Sequence, residues 1–174
     1  MDQHFLQSSY REKLIEHLFV AELLKLSWLS HDCSLEIARP EVDNSGYDLI
    51  AEDSGIVRHI QLRSSRRDAR TKTQKVHTAL SSKPSGCVIW ILFSEKTLEL
   101  GPFLFFGESP GTPLTDISQF RVARHTKGDS TGIKKVRPRL RVVPKSAFRQ
   151  CSTPEEIYAT LFRSVAAETT REKL

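Results

Sequence analysis

The chain has only three cysteines, Cys33, Cys87 and Cys151, an odd number set far apart. They offer neither a disulfide framework nor a cysteine-based zinc signature, and a reducing, cytoplasmic setting is expected. Cys87 sits in an apolar run and reads as core. No apolar stretch approaches the ~20 residues that span a bilayer, so no membrane partner is expected. The opening Met1-Asp2-Gln3-His4 has no basic stretch leading into an apolar one, and no secretory signal is expected. There is no internal repeat, and no low-complexity linker divides the sequence. The 174 residues are therefore read as one domain, 1–174, long enough to bury ~70% of the unfolded surface.

Charge is abundant and unevenly placed. The net charge is +5. Seven Lys/Arg and one acid, Asp68, lie between Arg58 and Lys75; ten Lys/Arg and one acid, Asp129, lie between Arg121 and Arg149. The acids gather elsewhere, from Glu12 to Asp53 and near the C-terminus. One basic block is ordinarily a solvated face. Two of them, flanking a candidate site for phosphate chemistry, point to a polyanion bound in a salt-dependent way.

Residues 8–30 read as a helix, with Leu14, Leu18, Ala21, Leu24 and Trp28 forming an apolar stripe and Ser8 or Ser9 as cap. Residues 34–39 alternate as a short strand, and 46–52 and 56–63 read as a hairpin around Glu52-Asp53-Ser54-Gly55. Residues 66–82 are polar, basic and compatible with a helix. Cys87 to Phe93 is a continuous apolar run, the mark of a strand covered on both faces. Thr97 to Phe106 is strand-like with a possible break at Gly101-Pro102, and Phe120–Arg124 and Leu140–Val143 read as short strands around a basic loop, 125–138. Thr153-Pro154-Glu155-Glu156 is a capping box opening a final helix whose apolar face holds Ile157, Leu161, Phe162 and Val165. This order gives an α/β fold, a mixed central β-sheet flanked by helices on both faces.

The chemistry concentrates in the hairpin. Val57, His59, Gln61 and Arg63 alternate along one face of the second strand. Three buried polar groups without partners would cost ~1–3 kcal/mol each, so that face is solvated or lines a cleft. Asp48, between Tyr47 and Leu49, poses the same problem, and pairing of the two strands sets it beside Gln61. A carboxylate and an amide oxygen are both hard donors suited to magnesium. Arg63 beside them can hydrogen-bond a phosphate in bidentate fashion.

Glu16 to Leu24, Gly46-Tyr47-Asp48-Leu49-Ile50 and Ile60-Gln61-Leu62-Arg63-Ser64-Ser65 together resemble the PD-(D/E)XK nuclease superfamily over about residues 10–93. The resemblance implies a restriction-endonuclease-like fold, with 94–174 adding strands, the basic loop and the last helix. It implies Glu16 in the helix position, Asp48 as central metal ligand, Gln61 as second ligand and Arg63 in the lysine position. The implied cofactor is Mg2+ or Mn2+, and the implied reaction is attack of a cation-activated water on a DNA phosphodiester. Two positions depart from the pattern. Gln61 removes a negative charge, which weakens cation binding. Arg63 stays protonated and cannot act as a base, although it can stabilise developing phosphate charge.

Several neighbours compete for these roles. Glu12 and Glu22 share the helix with Glu16, Glu41 follows Pro40 in the literal Pro-acid order, and Glu52 shares the strand face of Asp48. Lys72 and Lys75 could reach back to replace the missing lysine. Arg66, Arg67, Arg70, Lys72 and Lys75 in the first block, with Lys134, Lys135, Arg137 and Arg139 in the second, are the expected DNA contacts. A homodimer would provide two sites for two strands. The alternative is a catalytically degenerate nuclease fold that binds DNA or a protein; a further one is a basic RNA-associated protein using 121–149.

Overall fold

The computed structural model describes residues 7–30, 32–42, 45–125 and 134–163. Helix α1 (Ser8–Leu29) opens the chain, and Gln7 holds its cap position without a side-chain hydrogen bond. Ser8 and Ser9 therefore lie inside the helix rather than capping it. Its buried residues are Ile15, Glu16, Phe19, Val20, Leu23 and Ser27, whereas Leu24 and Trp28 are 46% and 71% exposed. The helix carries two apolar stripes offset by one residue. Docking selects the one whose Phe19 ring meets Phe103 at 5.8 Å, not the Leu14–Trp28 stripe that periodicity favoured.

Strands β1 (Glu36–Ala38), β2 (Leu49–Asp53) and β3 (Ile56–Arg66) follow as an antiparallel run. Ser54 and Gly55, both at positive φ, make the β2–β3 turn. The segment 66–82, expected to be helical, is not. β3 continues to Arg66, β4 (Thr73–His77) is a strand, and Thr78–Ser82 is a 3-10 turn. In β4 only Val76 is fully buried, so the alternation Thr73, Lys75, His77 against Gln74, Val76 was masked by polarity.

β5 (Gly86–Phe93) is buried along its whole length, as its apolar run requires. β6 (Leu100–Gly107) runs through Gly101-Pro102 without a break. The later strands are β7 (Val122–Arg124), β8 (Val136–Pro144) and β9 (Arg149–Cys151), ahead of helix α2 (Pro154–Phe162). The Thr153 cap forms, its Oγ1 accepting from Glu156 N–H, while Glu156 Oε2 reaches one residue past the cap and accepts from Ser152 N–H at 2.6 Å. Val165, and residues 126–133 of the basic loop, lie outside the described residues.

Six strands make a mixed sheet in the order β1-β2-β3-β5-β6-β9, parallel only between β3 and β5. β4, β8 and β7 make a second, antiparallel sheet. The α/β fold with a mixed central sheet stands, but both helices pack on one face, with Cys87, Ile89, Ile91 and Phe93 of β5. The other face, bearing Val88, Trp90 and Leu92, is covered by the second sheet and the 3-10 turn through Val76, Val143 and Leu80, and by Phe148 of the β8–β9 connection. Among the described residues no helix is long and apolar enough to cross a membrane.

Two polar contacts join the hairpin to α2. Arg58, counted among the basic residues in the sequence, is 0% exposed. Its Nε donates to Leu161 O at 2.8 Å, Nη2 to Thr160 O at 3.2 Å and Nη1 to Glu108 O at 3.1 Å. It thus satisfies the last carbonyls of α2, where a cation is favoured. Burial lowers its pKa from the ordinary arginine value and pushes the Cys87 thiol up to about 12. Asp53, at the turn end of β2, accepts from Ser34 Oγ and, at 2.8 Å, from Tyr158 Oη of α2.

Arg58→Ala leaves three carbonyls, that of Leu161 buried and those of Thr160 and Glu108 partly so, without their charged donor. It is expected to cost about 3 kcal/mol or more in urea unfolding, seen as a lower midpoint at unchanged slope. Burial and the Asp53 contact raise the Tyr158 phenol to about 12 from its ordinary value of 10.0. The raised pKa means this stabilisation is fully present below pH 10 and is lost as pH rises through about 12. The stability gap between the native chain and Tyr158→Phe should therefore shrink across that window; a gap independent of pH would contradict the assignment.

Candidate active site

The approach to β2 is set by backbone. Gly46 has φ +78°, and a Cβ there would lie 2.5 Å from His77 Cβ, so only glycine lets the chain pass His77. Two residues later Asp48 N–H donates to Ile60 O at 2.8 Å. This extends the β2–β3 ladder one step beyond the pair Leu49↔Ile60 and brings Asp48 alongside Gln61, as the hairpin spacing predicts. Asp48 Oδ2 accepts from Leu62 N–H at 2.6 Å, fixing the carboxylate against β3.

Gln61 is 4% exposed, and its Oε1 accepts from His77 N–H at 3.2 Å. Arg63 donates from Nε to Lys75 O at 3.1 Å and from Nη1 to Leu62 O at 2.9 Å. Gln61 and Arg63 of the polar face of β3 are thus paired with main chain, whereas His59 Nδ1 is buried without a hydrogen-bond partner among the described residues. Gln61 and Arg63 lie against β4, whose Lys75 carbonyl and His77 N–H supply the partners. Ser65 continues the pattern, accepting from Trp90 Nε1 at 3.0 Å. His59 packs its ring edge-on to Tyr47 at 5.0 Å. Burial, and then the charge of Lys83, lower its pKa, and it does not line the cleft described next.

Asp48, Gln61 and Arg63 lie in a cleft of about 880 Å3 between the two sheets. β4 contributes Lys75 and His77 to its wall; the β7–β8 side contributes Arg121, Arg124, His125, Lys134 and Arg137. An adjoining depression of about 370 Å3 is lined by Glu16 together with Asp48 and Arg63. Glu12 borders both spaces, so it is better placed than Glu22, which pairs with Lys25. Glu16 is buried, and its carboxylate is flanked by Lys13 Nζ and Arg39 Nε, each at 2.9 Å. Glu41 and Glu52 are exposed and line neither space.

The basic residues divide. Lys75, Lys134 and Arg137 face the cleft, with Lys75 on a strand and not on the expected helix. Arg66 pairs with Glu95 at 2.7 Å and with Asp68, and Arg67 with Glu99. Arg70, Lys72, Lys135 and Arg139 are exposed outside the cleft. Arg121, Arg124 and His125 were not singled out in the sequence. The signal for the two arginines was their membership of the second basic block, and for all three their place at its N-terminal end.

No family model matches the chain, and no curated protein matches it. A solved structure described as that of a bacterial homing endonuclease is similar at TM-score 0.34 and 18% identity, covering 70% of this chain and 82% of that one. A likeness that remote supports neither a fold assignment nor a function.

Among the described residues no group of three or more His, Cys, Asp and Glu converges to hold a metal ion. The donors on hand are the Asp48 carboxylate and the Gln61 amide oxygen, in one cleft. An amide oxygen has two lone pairs, so Gln61 can keep its His77 contact and still offer a donor. Magnesium needs only one or two carboxylates, with water and phosphate completing its shell. The set fits such an ion in kind.

Gly46→Ala tests the backbone constraint. Gly55, at φ +81° with nothing near a Cβ, provides a control for conformational strain alone. Gly46→Ala is expected to cost about 1–3 kcal/mol more than Gly55→Ala in urea unfolding, because only the former collides with a neighbour. Equal losses would show that His77 moves aside freely.

Proposed function

We propose that the chain is a metal-dependent, nuclease-like hydrolase of DNA phosphodiesters, with Asp48 at the centre of its site. The observation that supports this reading is the meeting of Asp48, Gln61 and Arg63 in one cleft, beneath a wall of cations. It agrees with the resemblance of these same residues to the PD-(D/E)XK superfamily.

In this reading Asp48 and Gln61 hold Mg2+ or Mn2+. When bound, such an ion polarises a phosphoryl oxygen and lowers the pKa of water. The rest follows from the chain's own residues. Arg63, fixed by Leu62 O and Lys75 O, keeps a permanent positive charge on the cleft floor where phosphate charge develops. Lys75 places an ammonium in the same cleft and fills the lysine role from a neighbouring strand. Arg124, Lys134 and Arg137 neutralise flanking phosphates and position the strand. Glu16, compensated by Lys13 and Arg39, orients groups at the rim of the adjoining depression. A homodimer would present two such sites to the two strands.

A second reading, a catalytically degenerate fold that binds DNA, draws on different contacts. The Arg63 guanidinium is committed to two backbone carbonyls, and Glu16 is matched by two cations. That reading predicts salt-sensitive DNA binding with no need of metal and no cleavage.

Cleavage of plasmid and linear DNA in magnesium and in manganese separates the two. The native chain should cut, and Asp48→Ala should lower the rate by about 100-fold or more. Intact DNA in both metals leaves the binding reading, and cutting indifferent to Asp48→Ala rejects the site. Arg63→Lys adds a direction: gained activity points to a degenerate site, lost activity to arginine as part of a working one.

A further inference from the structure

Strand β8 changes its surroundings midway. From Leu140 to Pro144 it pairs with β4, but Val136 and Arg137 pair only with β7, through Arg124↔Val136 and Ala123↔Arg137. His125 N–H donates to Lys135 O at 2.9 Å, carrying the two-stranded pairing one step further out. Between Ala123↔Arg137 and Val122↔Arg141, residues 138–140 of β8 have no partner on β7. Arg141 Nη1 closes this bulge by donating to Pro138 O at 2.7 Å. Bulges bend the strand that bears them, and here the bend sits where β8 leaves the second sheet as part of a two-stranded ribbon. Residues 134–139 are all exposed, Val136 at 56%.

The ribbon carries Arg124, His125, Lys134, Lys135, Arg137 and Arg139. The ion pairs among the described residues all lie elsewhere. Charge on an exposed edge commonly serves to discourage strand-to-strand aggregation. One or two lysines suffice for that, and edge blunting does not explain why Arg124, Lys134 and Arg137 also line the cleft of Asp48.

We propose that this ribbon enters the major groove of B-form duplex DNA and presents the adjoining backbone to the Asp48 cleft. The inference rests on the DNA reading of that cleft and names the form of the nucleic acid. A major groove about 12 Å wide admits a two-stranded β-ribbon. The major groove of A-form RNA is too narrow for side-chain entry, and a single strand has no groove. Positive charge along the ribbon provides affinity by releasing counterions from phosphates.

The experiment is fluorescence anisotropy in EDTA with one labelled sequence, presented as duplex DNA, single-stranded DNA and duplex RNA over a salt series. Duplex DNA should bind about tenfold or more tightly than either competitor. The double variant Lys135→Ala/Arg139→Ala alters the ribbon outside the cleft. It should flatten the slope of log K against log salt by about 2, with its urea midpoint unchanged. Methylation of guanine N7, which projects into the major groove, should interfere with binding of the native chain. Equal affinity for the three nucleic acids, no binding of duplex DNA, or a double variant that binds like the native chain overturns the ribbon. Ribbon-dependent duplex binding without cleavage in metal removes the hydrolytic reading alone. Cleavage with a double variant that binds normally removes the ribbon alone.

Discussion

The hydrogen bonds from the polar face of β3 to the main chain of β4 hold the site together. Gln61 accepts from His77 N–H, and Arg63 donates to Lys75 O. These contacts fix the second sheet over the first, and the cleft is the space left between them. They also explain why a strand in the middle of a covered sheet tolerates a glutamine and an arginine. Each side chain replaces water with a backbone partner, so the desolvation that would otherwise destabilise the strand is offset. The carboxylate of Asp48 is held the same way, by Leu62 N–H. The site is built from strand edges reading one another rather than from a converging cluster of acids.

The electrostatics of the cleft are correspondingly one-sided. Among the described residues, Asp48 and Glu12 are its acids, set against Arg63, Lys75, Arg121, Arg124, Lys134 and Arg137. An excess of cations attracts phosphate but opposes a divalent ion, so on the proposed function cation and nucleic acid affinity would be coupled. In the proposed function, a phosphate brought in by the rim would supply the negative charge that the neutral Gln61 does not. Metal occupancy in such a site depends on substrate more than it would in a cluster of carboxylates.

What was legible in the sequence was local. The apolar run Cys87–Phe93 announced a strand covered on both faces, Thr153-Pro154-Glu155-Glu156 announced a helix start, and the spacing of Asp48 and Gln61 announced their neighbourhood. What was not legible depended on distant partners. α1 offers two apolar stripes, and only the sheet decides between them. β4 has one buried apolar residue, so its strand character comes from β8, far along the chain. Arg58 looks like any surface arginine until the carbonyls of α2 arrive to receive it. Lys134 and Arg137 could be seen as basic, but not as neighbours of Asp48, because that relation is made by the stacking of two sheets.

The Arg58 contact bears on the order of assembly. Leu161 lies 103 residues after Arg58 in the chain, so on the ribosome the hairpin is made long before the helix end that satisfies its arginine. Until then a guanidinium must remain hydrated at a position that becomes fully enclosed. The hairpin cannot seal its helix-side face early without burying an unmatched charge. Enclosure of that face is therefore favourable only once α2 is present to receive the arginine. The last turn of α2 thus supplies carbonyls that the enclosed guanidinium requires, and a chain lacking that turn would leave Arg58 without those two acceptors.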